Sequence, residues 1–224
     1  MKKFFFLFVF LIYSVSTIMG QSEEELYLQE AIELMIIRET SRTNDRAQKY
    51  LALEYIENML KRGSTNSELR DTLEYLSLEG SQSRYTIINY PDVRSEAVRL
   101  LRYVRTPEAK NALIRVCYSE NEPLVLAEAI RSLGIICLND NNDTIGAVVW
   151  VFNRNRYDIN GFPNNRIALA VLDTFGRITE KYRNIEPSVL RVINVILEES
   201  LYAPVVHDIA RSILSDVRNY IINP

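Results

Sequence analysis

The residue types that could carry chemistry are few in this chain, and their spacing decides what they could do. A base or metal ligand normally acts with partners, and the single histidine, His207, has no second histidine to join it. It reads as a polar residue near a helix start. Zinc held by Cys117, Cys137 and His207 would require three distant segments to converge. Seven glycines, none clustered, exclude a glycine-rich phosphate loop. The acidic stretch 139–143 suggests a calcium loop, yet counting from Asp140 the turn glycine is replaced by Ile145 and the bidentate glutamate by Val151. What remains is carboxylate chemistry, for which acidic residues are plentiful. The expectation is a chain with no catalytic residue, no metal and no cofactor, one that is not an enzyme. The alternative is a hydrolase or lyase of an envelope polymer whose carboxylates meet only in the fold.

Binding is then the question, and two long connections are the candidate sites. Residues 80–90 carry Arg84, Tyr85 and Tyr90; residues 154–165 carry Arg154, Arg156, Tyr157 and Phe162. Arginine and aromatic residues are enriched where proteins meet. If each connection joins the two helices of one pair, both emerge on the same edge of a stack, roughly 20 Å apart at ordinary helix spacing. A single protein partner could span them. The other reading makes them lids whose aromatics fold back over the ends of the core.

The elements that would position these residues are helices. From Pro91 to Val104 the apolar positions Val93, Ala97, Leu100, Leu101 and Val104 form one stripe. The stripe recurs at Val125, Ala129, Ser132, Leu133 and Ile136, at Ile167, Val171, Thr174, Phe175 and Ile178, and at Val206, Ala210, Ile213, Leu214 and Val217. The intervals between Leu101, Leu133, Phe175 and Leu214 are 32, 42 and 39 residues, and a weaker copy at Ala52, Tyr55, Ile56 and Met59 stands 45 earlier. A first helix precedes each: Leu28, Ile32, Met35 and Ile36; Leu69, Leu73 and Leu76; Ala109, Leu113, Val116 and Cys117; Ile145, Val149 and Phe152; Val189, Ile193, Ile196 and Leu197. Ser67, Thr106 before Pro107, Asp143, and Glu186 before Pro187 are start signals. Such pairs expose apolar surface on both sides and must stack to bury it.

Asp92, Val93, Arg94, Ala97 and Leu101 resemble the second-helix signature of HEAT repeats, and Ala129 to Gly134 resembles its continuation. The resemblance spans about residues 25–221 and implies an all-α fold: an α-solenoid, a right-handed superhelix, of about five degenerate HEAT-like helix pairs. Leu126, Ala168 and His207 stand where Arg94 does, so the family's Asp and Arg ladder is not maintained. Tetratricopeptide arrays hold a 34-residue period, which these intervals do not.

Lys2 and Lys3 before the apolar run Phe4–Tyr13, with Gly20 before Gln21, have the layout of a secretory signal. Cleavage there would leave residues 21–224 as a single domain, with no membrane span and a formal charge moved from −3 to about −5. That acidity argues against nucleic acid as the partner. Export permits a disulfide, but Cys117 and Cys137 fall at opposite tips of one helix hairpin, roughly 20 Å apart by helix rise. Both are expected as buried thiols. The function expected is an exported, periplasmic or secreted scaffold or adaptor that binds a protein; a permanent structural subunit of an envelope assembly is a further alternative.

Overall fold

A computed structural model describes residues 23–81, 89–183 and 186–222. The candidate signal segment therefore lies outside the described residues. Among the described residues ten α-helices run in five antiparallel pairs. They are α1 (Glu23–Ser41) with α2 (Arg46–Lys61), α3 (Ser67–Leu78) with α4 (Pro91–Val104), α5 (Pro107–Ser119) with α6 (Pro123–Ile136), α7 (Asp143–Asn155) with α8 (Asn165–Tyr182), and α9 (Pro187–Glu198) with α10 (Pro204–Ile222). A 3₁₀ turn over Asp140–Asn142 precedes α7.

Helix starts follow local chemistry. The side chains of Asp45, Asn66, Thr106 and Asn164 accept from backbone N–H groups of the first turns of α2, α3, α5 and α8, while prolines open α4, α5, α6 and α9. At α3 the cap is Asn66, one residue before the expected Ser67. Helix ends differ between the two edges of the stack. The second helices α4, α6 and α8 end in a left-handed residue, at Arg105, Cys137 and Arg183, and α2 stops two residues before left-handed Gly63; on the other edge a left-handed residue, Gly80, follows α3. First helices α3, α5 and α9 end on an extended glutamate, at Glu79, Glu120 and Glu199.

The core is continuous from Ile37 to Val217 and is built from the repeated stripes. Val93, Ala97, Leu100 and Leu101, then Val125, Ala129, Ser132 and Leu133, then Ile167, Val171, Thr174 and Phe175 are buried. Small and hydroxyl side chains let the second helices approach closely. Ser132 Oγ donates to Val98 O at 3.1 Å and Thr174 Oγ1 to Ile130 O at 2.7 Å. A Cβ on Gly134 would lie 2.7 Å from Thr174 Oγ1 and 3.0 Å from its Cα, so only glycine fits where α6 crosses α8.

The first helix departs from its expected face. Leu28, Ile32 and Met35 are 63%, 46% and 56% exposed, whereas Ile37 is buried. A terminal helix has a neighbour on one side only, so apolar residues on its far side have nothing to pack on. In α7 the buried positions are Thr144, Ile145, Ala147, Val148, Val151 and Phe152, with Val149 half-buried.

Candidate functional site

The five turns inside the pairs lie along one edge, and hydrogen bonds join them in sequence. Tyr90 Oη, in the second turn, donates to Asn44 O in the first at 3.1 Å. Asn89 accepts from Arg94 Nη1 at 2.7 Å, and Arg94 Nε donates to Glu120 Oε2 in the third turn at 2.6 Å. Next to Glu120, Asn121 Oδ1 accepts from Arg154 Nη2, at the end of α7, at 2.6 Å. Tyr157 Oη in the fourth turn donates to Glu199 Oε2 in the fifth at 3.1 Å.

Beneath this edge runs a ladder of buried cations. Lys49 Nζ donates to Ser41 O of its own pair and pairs with Glu79 Oε2 of the next at 2.6 Å. Arg94 repeats the arrangement, reaching Glu79 O of its own pair and Glu120 of the next. Both side chains are buried, and each brings a positive charge to the negative end of a helix that stops on glutamate. The ladder is therefore present in the first two pairs and lapses where Leu126 and Ala168 stand. Lys49 was legible: the interval that aligns Ala52 with Ala97 also aligns Lys49 with Arg94. His207, at the same position in the last pair, has Nε2 3.1 Å from Ile196 O and 3.0 Å from Glu199 O. Its role is structural.

Other candidates of the sequence also find internal partners. Lys110, buried, donates to Asp140 Oδ2 at 2.9 Å and Asp143 Oδ2 at 2.6 Å, so the acidic 139–143 stretch closes around an ammonium. Although burial opposes its charge, those two carboxylates hold the Lys110 ammonium above its ordinary value. Arg99 pairs with Glu57 and Glu96, and Arg102 with Glu128, so these two arginines of α4 are neutralised. Both cysteines are free, Cys117 buried and Cys137 half-buried rather than fully buried; burial pushes the Cys117 thiol up to about 12.

Of the proposed binding residues, Arg84 and Tyr85 lie outside the described residues. Tyr90 is half-buried and tied to Asn44. Arg154 belongs to α7, and the fourth turn proper holds Arg156, Tyr157 and Phe162. That turn is ordered by Asp158, whose Oδ1 accepts from Asn160 N at 2.8 Å and Phe162 N at 3.0 Å, by a bridge between Tyr157 and Pro163, and by the left-handed Gly161. Asp158 is thus an internal cap. The arrangement leaves Tyr157, Ile159 and Phe162 exposed; they do not fold back as lids. Arg156 lies over the Tyr157 ring at 4.7 Å and Arg154 over Trp150 at 5.0 Å, and Trp150 meets Tyr118 edge-on at 5.0 Å. Trp150 and Tyr118 were missed in the sequence; the available signal was an aromatic on the polar side of an amphipathic helix.

Residues 89–149 match a family model described as HEAT repeats. No curated protein matches the chain. Among solved structures, the complex of CpcE and CpcF of phycocyanin lyase from Nostoc sp. PCC7120 matches at 19% identity with a TM-score of 0.59, over 83% of this chain. The chain spans 65% of the length of the chain it matches there. The fold is an all-α solenoid of HEAT-like pairs. The expectation that such a chain is not an enzyme is overturned: the matching structure belongs to a lyase complex, so scarcity of catalytic motifs on this scaffold does not exclude a catalytic assembly.

Proposed function

We propose that this chain is an exported subunit that holds a protein partner along its turn edge, with the fourth turn at the centre of the contact. The observation that carries the reading is a pair of stacks, Tyr118–Trp150–Arg154 and Arg156–Tyr157, with exposed Phe162 in the same turn as the second. Stacked, rigid aromatic and arginine side chains at a surface lose little freedom on binding and form the usual anchors of an interface. Tyr90 of the second turn extends the contact along the same edge. The fold supports such a role, because a stack of helix pairs offers a long surface, and the lyase structure of the same fold is itself a two-chain complex. An assembly that this chain joins can be catalytic. Export rests on Lys2, Lys3 and the apolar run that follows them. Among the described residues no helix is long and apolar enough to cross a membrane.

A photoreactive residue in place of Phe162, compared with one at exposed Gly146 on α7, tests the proposal in extracts of the source cells. Gly146 has open space around it and Phe162 is 60% exposed, so both positions admit a bulky side chain. A discrete cross-linked protein from the Phe162 position, absent from the Gly146 position and lost on Tyr157→Ala with unchanged melting, is the expected result. Equal labelling from both positions refutes it.

A further inference from the structure

Tyr202, in the fifth turn, is 3% exposed, and its Oη is buried without a hydrogen-bond partner. A buried hydroxyl without a partner is uncommon in folded proteins and calls for an explanation. Nearby Glu199 turns its Oε2 to Tyr157 Oη, and His207 Nε2 faces the Glu199 and Ile196 carbonyls, while Tyr202 Oη is left without a partner. Arg156 is the cation whose charge reaches Tyr202, and among the described residues it has no carboxylate partner. The same holds for Arg154 and Arg166 on either side of the turn, in a chain whose acidic residues outnumber its basic ones, 29 to 26. Tyr202 Oη and the Arg156 guanidinium therefore present donors without acceptors among the described residues.

Resting on the turn-edge reading, we propose that the partner's docking segment is acidic, and that one of its Asp or Glu side chains enters between Arg156 and Tyr202 to accept from both. Tyr157 keeps its bond to Glu199, and only the half-buried Arg156 guanidinium turns from its ring to meet the carboxylate. The neighbouring arginines steer the segment in, and Tyr157 and Phe162 cover its apolar residues.

The test uses the mature protein and a labelled 15-residue peptide of alternating Leu and Glu, blocked at both ends so that only side-chain carboxylates are offered, against the same peptide with Lys for Glu. Anisotropy should show binding of the Glu peptide alone, weakened by rising salt. Tyr202→Phe and Arg156→Gln should each weaken it about tenfold, while the Tyr202→Phe melting temperature is unchanged or raised, because that change removes only a hydroxyl without a partner. Equal binding of the Lys peptide, no binding of the Glu peptide, or unaltered affinity in Tyr202→Phe overturns the proposal. So does a lowered melting temperature in Tyr202→Phe, which would mean that the hydroxyl is already satisfied by a buried water. Failure of the peptide test with an intact Phe162 cross-link removes only this inference; loss of the cross-link removes the turn-edge reading beneath it.

Discussion

Replacing Glu120 with alanine tests the ladder most directly. Glu120 is buried, and its Oε2 accepts from Arg94 Nε at 2.6 Å while Oε1 accepts from the backbone N–H groups of Asn121 and Glu122 at 2.8 and 2.9 Å. The substitution strands the Arg94 guanidinium, itself 3% exposed, leaving it with Asn89 and a long contact to Glu79 O. Breaking a buried pair by removing one partner costs about 3–5 kcal/mol. The two backbone groups stand at a turn where water can replace the carboxylate, so they add little. Removing the stranded charge as well should recover much of the loss, since Leu126 and Ala168 fill the same position in the next two pairs without any cation. Arg94→Leu with Glu120→Ala should therefore cost about 2 kcal/mol less than the sum of the single changes. Urea melts followed by circular dichroism, with the slope checked for equality among variants, measure all four corners of the cycle. Additive single changes, or a Glu120→Ala protein within about 0.5 kcal/mol of the parent, would refute the claim that this pair is a coupled, buried rung.

Leu133→Ala should cost about 2–5 kcal/mol, because Leu133 is fully buried at the centre of the third pair, and Arg131→Ala, whose contact to Glu128 is long and half-exposed, less than about 0.5 kcal/mol; equal urea midpoints would show a wrong stripe. Native protein at neutral pH should release at most one thiol to Ellman's reagent, from Cys137, and two after denaturation, since burial holds both thiols above their ordinary value; a mass two hydrogens short would instead reveal a disulfide. Stability should fall in acid. The carboxyls of Glu33 and Glu57 lie below their ordinary value through bonds to Arg62 and Arg99, and that of Asp92, despite burial, through Arg46 and Tyr50. Depressed carboxylates contribute above their unfolded values and lose that contribution as pH drops through the folded ones, so melting temperatures equal at pH 6 and pH 3 would contradict these pairs. Protein recovered from the source cell's exterior or periplasm should begin at Gln21; an N-terminus at Met1 in that fraction would refute cleavage.

Helix order was legible because burial imposes the same stripe on every second helix. Leu101, Leu133 and Phe175 all occupy the predicted core position. The stripe fails at α1 for a reason outside local sequence: Leu28, Ile32 and Met35 have helical spacing, but only a missing neighbour decides which side of an end helix is covered. The lapse of the ladder downstream of Arg94 was legible in Leu126 and Ala168; the rung upstream, at Lys49, was not sought. The fourth turn was found through its length and its arginines and aromatics. Tyr202 was not, since a tyrosine in a short turn gives no sign that its hydroxyl will be enclosed without an acceptor.

The two edges of the stack end their helices differently, and this makes the molecule mechanically one-sided. On one edge, left-handed residues at Gly63, Arg105, Cys137 and Arg183 act as joints that set the angle between one pair and the next. On the other, the turn joins two helices already clamped by the core, so its length has no bearing on that angle. A residue added to the fourth turn should therefore leave the pitch of the whole unchanged, whereas one added after Arg105 should rotate the pairs downstream. Variation in what the edge carries is thereby uncoupled from the shape of the spine that carries it.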